Sequence, residues 1–455
     1  MVKIKIGLEI HCQLNTESKL FCSCRNQPSD TPNIHCCPTC LGHPGSKPSF
    51  NKKVLEKALK VALALKCKIN KKMIFSRKNY FFPDLPNNFQ ITQYEFPLAS
   101  KGKFNGISLT RIHIEEDPGR LIHKGNYVLM DYNRSGTPLI EIVTDPVLVS
   151  AVQAKNFVAE LITTLEYLDV YYKSSEASLR CDVNISINNG KRVEVKNVYG
   201  INDIKRVLEY EIERQKNSKA VRETRGWDSS KGITYEMRSK EQEKDYGYIT
   251  EPNLPTFNIL KETILKIKES IPELPSEKSK RLVAEYKIKI DDAKILASSK
   301  ELANLFEKVA MHVNPLLAAK WLRRELKKLL TENKCSLKEI DMDEKGLINI
   351  LELFSDKKIT DKVAKELTRK LFNENFDVEE YVKKNNLLAV SDEWELLKIC
   401  VETINKNPQA VKDYSKGNEN ALNFLLGKVM QETKGKASPN ICKGLLKKKL
   451  DKIKK

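Results

Sequence analysis

Apolar and polar residues alternate through three short segments of the chain: Ile6-Gly7-Leu8-Glu9-Ile10-His11, Arg111-Ile112-His113-Ile114-Glu115-Glu116-Asp117 and Pro138-Leu139-Ile140-Glu141-Ile142-Val143. A period of two predicts strands, and Ile, Leu and Val suit a pleated, half-buried surface. On an extended strand Glu9 and His11 share one face while Leu8 and Ile10 take the other. Glu115 and Glu116 are adjacent, so they point to opposite faces unless a bulge re-aims one. Glu141 is the only polar side chain between Leu139 and Val143. Further on, Ser178, Arg180, Asp182 and Asn184 alternate with Leu179, Cys181 and Val183. Glu194, Lys196 and Asn197 follow on the next strand, beyond an Asn188-Asn189-Gly190 turn that predicts a hairpin.

Helical spacing places one helix at residues 51–65 and another at 149–168 within this strand-rich part. The segment Pro272-Glu273-Leu274-Pro275 ends it. Beyond that break, Leu302/Leu305/Phe306/Val309 and Trp321/Leu322/Leu326/Leu329/Leu330 recur at three and four residues. Ser276 followed by Glu277 is a helix start, and Val390-Ser391-Asp392 opens a last helical unit. The expected fold is therefore α+β: a mostly antiparallel domain at 1–275, a helical domain at 276–390 and a small helical tail at 391–455. At about 150 residues per domain the length agrees with three. No low-complexity linker or internal repeat interrupts the chain.

An unpaired buried carboxylate is expensive, so acids carried inward on apolar strands need a reason. Any one of them would be ordinary on a solvent face beside lysines. Several converging would suit a hard divalent cation such as Mg²⁺ with a nucleotide. No G-x-x-x-x-G-K-[ST] loop and no G-x-G-x-x-G occurs, so a nucleotide site here must be built from strand side chains and metal. Lys78 stands where a strand meets a loop, and Arg134 opens the Ser135-Gly136-Thr137-Pro138 turn. Both are candidate phosphate contacts, with a solvated surface role as the alternative. Six of the eleven cysteines lie between Cys12 and Cys40. Cys22-Ser23-Cys24, twelve residues, then Cys37-Pro38-Thr39-Cys40 is the paired spacing of a tetrahedral Zn²⁺ site. Four thiolates leave no open coordination position, so the zinc is expected to be structural. Cys36 is an alternative to Cys37, and disulfides are the alternative to zinc. No signal peptide opens the chain and no apolar run nears the ~18 residues of a spanning helix, which predicts a cytoplasmic protein off the membrane. The net charge of +19, from 79 Lys and Arg against 60 Asp and Glu, suits a polyanionic partner. From Phe424 onward there are ten lysines against only Glu432 and Asp451. Lys434, Gly435 and Lys436 form a basic loop before a helical segment at 441–453 that carries Lys443. That arrangement predicts a surface that tracks phosphates.

The strings "IGLEIH", "RKNYFFPDLP", "RIHIEEDPGR", "DYNRSGTPLIEIVTDP", "SLRCDVNIS", "VEVKN", "MRSKE" and "ALNFLLGKVMQETKGKASP" occur here in this order. Over nearly the whole chain the sequence resembles the B subunit of the tRNA-dependent amidotransferases. The resemblance implies a glutamine-synthetase-like cradle in which ATP phosphorylates the side-chain carboxylate of Asp on tRNA(Asn) or Glu on tRNA(Gln). Ammonia made from glutamine by the glutaminase A subunit then displaces the phosphate, and the C subunit completes a heterotrimer. No amidase or triad signature occurs in this chain, so the ammonia must come from a partner. Carried over by position, the resemblance implies Mg²⁺ ligands at His11, Glu116 and Glu141. Glu9, Glu115 and Glu194 then line the same cavity as second metal ligands or channel wall, Arg180 on its polar strand joins Lys78 and Arg134 as a phosphate or nucleotide contact, and the tail grips misacylated tRNA. Gly247 and Asn253 depart from an arginine and an aspartate usual in the family, and Asn87-Asn88 from a lysine and glycine. Two alternatives remain open. One is the related E subunit that handles only glutamyl-tRNA, whose large inserted domain finds no room here. The other is a zinc-containing RNA-binding protein without ATP chemistry, which a tRNA-dependent ATPase assay would separate.

Overall fold

The computed structural model describes residues 2–172, 179–217, 220–238, 246–389, 393–433 and 435–454. The chain divides into two units between Leu274 and Pro275, at the proline-bounded break.

The strands of the first unit begin with β1 (Ile4–Gln13), β2 (Lys68–Ile69), β3 (Lys72–Met73), β4 (Ser76–Asn79), β5 (Phe89–Thr92), β6 (Ala99–Phe104) and β7 (Ile107–Glu116). They continue with β8 (Arg120–Lys124), β9 (Tyr127–Asp131), β10 (Pro138–Thr144), β11 (Leu179–Ile187) and β12 (Val193–Tyr199). Last come β13 (Glu223–Asp228), β14 (Ile233–Arg238), β15 (Ile249–Thr250) and β16 (Phe257–Asn258). Nine of them form one sheet in the order β14-β13-β12-β11-β1-β10-β7-β6-β2. The β12–β13 pairing is parallel and the others in that sheet are antiparallel. β15, β4 and β5 make a small second sheet. The Asn188-Asn189 turn joins β11 to β12 with φ of 51° and 59°, the left-handed pair that a tight hairpin needs.

Alternation decides which face of the large sheet is buried. Ile6, Leu8, Ile10 and Cys12 of β1 share one core with Ile112 and Ile114, Ile140 and Ile142, and Cys181 and Val183. Helix α1 (Lys52–Ala64), α2 (Ala151–Tyr167) and α3 (Ile201–Asn217) contribute Leu59, Leu161 and Val207 to that core, and α4 (Lys261–Glu269) adds Ile267. Asn51 and Ser150 accept hydrogen bonds from Lys53 N and Gln153 N and so cap α1 and α2, each contributing about 1 kcal/mol. The polar residues of the same strands are left on the other face.

In the second unit, α5 (Pro275–Tyr286), α6 (Ile290–Leu296) and α7 (Lys300–Ala310) lead into α8 (Pro315–Trp321). A π turn at Leu322–Leu326 connects α8 to α9 (Lys327–Glu332), followed by α10 (Glu344–Ser355), α11 (Asp361–Asn373) and α12 (Val378–Lys384). Leu282, Phe306, Trp321, Leu351 and Leu367 belong to the core of these helices. A separate core with Leu396, Leu425 and Leu446 serves α13 (Glu393–Lys406), α14 (Pro408–Ser415), α15 (Asn420–Glu432) and α16 (Pro439–Lys454). Thr360 Oγ1 donates to Gly435 O at 2.7 Å, tying the start of α11 to the loop before α16. Ser178, Lys434 and the Val390-Ser391-Asp392 boundary lie outside the described residues. Among the described residues no helix is long and apolar enough to cross a membrane.

Candidate active site and metal-ligand clusters

Strand register assembles the polar face. His11 stands opposite Glu141 on β10 and Arg180 on β11, and Glu141 stands opposite His113 on β7. Glu9 is opposite Asp182, and Asn184 is opposite Glu194. Residues paired across an antiparallel ladder share a face, so these side chains line one surface over five adjacent strands.

Two groups form on it. His11, Glu115 and Glu141 offer ligand atoms all within 4.8 Å of one another, as do Glu9, Asp182 and Glu194. In the first, His11 Nε2 is 3.3 Å from Glu141 Oε2 and 3.8 Å from Glu115 Oε1. His113 Nε2 lies 3.2 Å from Glu141 Oε2 and 3.5 Å from Glu115 Oε2, and Thr92 Oγ1 donates to Glu115 Oε2 at 3.0 Å. Burial pushes Glu141 up, but His113 and His11 outweigh it and hold its carboxyl well below the usual value. Burial would lower His113, but Glu141 and Glu115 raise it to about 9. In the second group Lys196 Nζ bridges Asp182 Oδ2 at 2.8 Å and Glu194 Oε1 at 2.9 Å. Asn184 Nδ2 donates to Glu9 Oε1 at 2.9 Å. Burial, with Glu141, Asp182 and Glu194 nearby, raises the Glu9 carboxyl.

Glu116 does not join the His11 group; Glu115 occupies that place. No bulge re-aims Glu116, which stands opposite Pro138, and its Oε1 accepts from Ile91 N at 2.9 Å. Burial there pushes its carboxyl up to about 7. Arg180 Nη1 is held by Asp117 Oδ1 at 3.0 Å. Arg134 donates to Pro118 O at 3.0 Å and Gly119 O at 2.8 Å, with its Nε 3.7 Å from Asp117 Oδ2. Lys78 Nζ sits 4.7 Å from the Tyr246 ring centroid. Arg77 grips Glu251 through Nε at 2.6 Å and Nη2 at 3.0 Å, and Asn253 N and Nδ2 donate to the same carboxylate at 2.9 and 3.0 Å. Asparagine at 253 thus caps an acid where another acid would repel it. Gly247 has φ of 48°, a backbone that an arginine would strain.

The four cysteines Cys22, Cys24, Cys37 and Cys40 converge within 4.8 Å, so Cys37, not Cys36, completes the set. Cys40 Sγ lies 4.0 Å from Cys24 Sγ and 3.9 Å from Cys37 Sγ. A hydrogen bond from Cys22, the Cys37 N–H and the Lys19 charge draw the Cys40 thiol down to about 4. Lys19, without solvent exposure, donates to Cys40 Sγ at 3.6 Å and Tyr132 O at 3.2 Å.

The sequence pattern did not mark His113, Asp117 or Lys19 as site residues. His113 carried the signal already used for His11: it lies two residues from an acid and so on that acid's face. Lys19 carried none, because a lysine beside Ser18 looks solvated.

The chain matches the family model of the GatB/GatE catalytic domain over residues 4–265 and that of the GatB domain over residues 304–450. It is 42% identical over 455 residues to the B subunit of the aspartyl/glutamyl-tRNA(Asn/Gln) amidotransferase of Methanothermobacter thermautotrophicus, covering 98% of this chain and 100% of that one. The chain belongs to the amidotransferase B-subunit family. The family's members from Carboxydothermus hydrogenoformans and Thermotoga petrophila are each 40% identical, with 98% of both chains covered. The family relationship therefore spans both units.

Proposed function

We propose that this chain carries the ATP-dependent amidation step that converts Asp-tRNA(Asn), Glu-tRNA(Gln) or both to the cognate amides. The relatives are named as B subunits of an amidotransferase, and the reaction is glutamine-dependent carbon–nitrogen bond formation. Ammonia is supplied by a glutaminase A subunit, and a C subunit completes the assembly. The observation that carries the reading is the pair of ligand groups side by side on one sheet face. A carboxylate is a poor acyl donor, and ammonia can displace only an activated one. Phosphoryl transfer needs positioning and charge neutralisation far more than covalent chemistry from the protein.

Carboxylate oxygens with one imidazole suit Mg²⁺. His11, Glu115 and Glu141 would hold one ion, and Glu9, Asp182 and Glu194 a second. Such ions supply neutralisation of phosphate charge and Lewis acidity. His11 and His113 lie against Glu115 and Glu141, and Lys196 lies against Asp182 and Glu194. Asp117 fixes Arg180 opposite His11 and so holds a positive charge beside the first group. The cysteine set fits Zn²⁺ by donor type and number, and it fastens the loop that follows β1.

The test uses the assembled complex with its glutaminase partner. Glu141→Gln or Glu115→Gln should abolish ATP-dependent amidation of mischarged tRNA while glutamine hydrolysis by the partner remains measurable. Amidation within a few-fold of wild type in both variants would remove this cluster from the chemistry.

A further inference from the structure

Cys36 is a further thiol at the cysteine cluster, next in the chain to Cys37 but outside the four that converge. It donates a hydrogen bond to the Cys40 sulfur and lies near Lys19 and Asp131. Its neighbours in the chain are pinned, His35 N donating to Asn133 Oδ1 at 2.9 Å and Cys37 N to Cys40 Sγ at 3.2 Å. Four thiolates complete a tetrahedral site, so Cys36 is held against a ligand sulfur without a place as a ligand. Cys40 and Cys22 also line a cavity of about 300 Å³, far more than a small hydroperoxide needs. The loop between the cysteine pairs is tied in turn to the segment that feeds β10. Asn33 N donates to Asp131 Oδ1 at 3.1 Å, and Tyr132 N to Asn33 Oδ1 at 2.7 Å. Asn133 Nδ2 donates to Thr31 O at 2.8 Å, and Ser135 Oγ to Cys40 O at 3.1 Å. Beyond Ser135 the chain enters β10 at Pro138, and β10 carries Glu141.

We propose that Cys36 is the resolving thiol of a redox-sensitive switch, in which a hydroperoxide joins Cys36 to Cys40 as a disulfide and the zinc is released. The proposal rests on the zinc reading above and adds a task for the extra thiol. A metal-held thiol is deprotonated outright, and the thiolate is the nucleophile towards a peroxide. The Cys40 thiolate attacks the O–O bond, hydroxide leaves, and Cys40 becomes a sulfenic acid. The Cys36 thiol then attacks the Cys40 sulfur, the S–O bond breaks, and the departing hydroxide takes the thiol proton as water. Two electrons have passed from the two sulfurs to the peroxide. Three thiolates remain for the metal, and the segment before β10 loses the support of the cysteine loop. A dithiol reductant reverses the chemistry.

The experiment treats the assembled complex with hydrogen peroxide and follows zinc release with a chromogenic chelator. Peptide mapping should find a Cys36–Cys40 disulfide that forms as the zinc leaves. Amidation with ammonium as the nitrogen donor, which bypasses the glutaminase, should fall at least fivefold and return with dithiothreitol and Zn²⁺. Cys36→Ser should hold as much zinc at rest as wild type, since the four ligands are untouched. Under peroxide its Cys40 should accumulate sulfenic acid, trapped by dimedone at least fivefold more than in wild type. A disulfide confined to Cys22, Cys24, Cys37 and Cys40, or equal trapping in wild type and variant, would overturn the proposal. So would an oxidised, zinc-depleted complex that amidates at the untreated rate. Wild-type protein that purifies without zinc would refute the zinc reading itself, and the switch with it.

Discussion

Lys19 has no solvent exposure, and its ammonium donates to the Cys40 sulfur and the Tyr132 carbonyl. A buried cation needs compensating charge, and four thiolates around a divalent ion carry a net charge of about −2. The lysine and the metal-loaded cysteines therefore answer each other. Purified protein should hold one Zn²⁺ per chain, and Lys19→Met should lose it to a chelator about 10- to 100-fold more readily. The Co²⁺-substituted variant should keep a tetrahedral thiolate spectrum, because the four ligands are untouched. Equal metal retention in the variant would show that the cluster does not need the ammonium. At this scale, alternation made Glu9, His11, Glu115 and Glu141 legible as residues on defined strand faces. What it did not reveal was which of two neighbouring acids faces the histidine. That choice follows from the register of β7 on β10, which sets His113 opposite Glu141. Cross-strand register is a tertiary property that a strand's own pattern does not contain.

Helices showed the opposite balance. The segments expected at residues 51–65 and 149–168 are α1 and α2 with their caps, because apolar spacing and an N-cap residue are both local signals. The π turn at Leu322–Leu326 left no such mark, since one extra residue in a turn barely disturbs a period of 3.6. Two-residue strands such as β2 and β16 are too short to show any period. Between α5 and α7, Glu307 takes Lys278 Nζ and Arg281 Nη2, each at 2.6 Å. Burial pushes the Glu307 carboxyl up, but these two cations win and hold it below the usual value. A depressed carboxyl stabilises the fold above its unfolded-state pKa and loses that contribution as pH falls through the lower folded-state value. Glu307→Gln should cost about 1 kcal/mol at neutral pH by denaturant unfolding. The gap between wild type and variant should then close as the pH is lowered below about 4. A gap that stays constant with pH would mean that the side chain acts through packing and not through charge.

For the whole molecule, the break at Pro272-Glu273-Leu274-Pro275 coincides with the division of the chain, because proline ends regular structure wherever it falls. The helical part contains two separate cores, one whose buried residues run to Val382 and one whose buried residues start at Leu396, and the boundary expected at 390–392 falls between them in sequence. The parallel β12–β13 pairing was invisible by contrast, since α3 intervenes between the strands. The +19 charge says that a polyanion is suited to this chain but not where it binds. Distribution supplies the place: α16 exposes Lys443 and Lys447 one turn apart, and Lys436 stands in the loop before it. Phosphate contacts by such lysines release counterions, so each one lost should flatten the dependence of log affinity on log salt by roughly 0.7–0.9. Lys443→Ala with Lys447→Ala leaves Leu445, Leu446 and Leu450 in their core and should not disturb the helix. The double variant should bind mischarged tRNA more weakly at low salt, with a slope shallower by roughly 1.5. Amidation should recover at saturating tRNA, because the ligand groups lie on the sheet of the first unit, far along the chain from the tail. An unchanged affinity and slope would make the basic tail a solvated surface and assign tRNA binding to the rest of the chain. A fall in amidation that saturating tRNA does not restore would instead show that the tail acts on the chemical step.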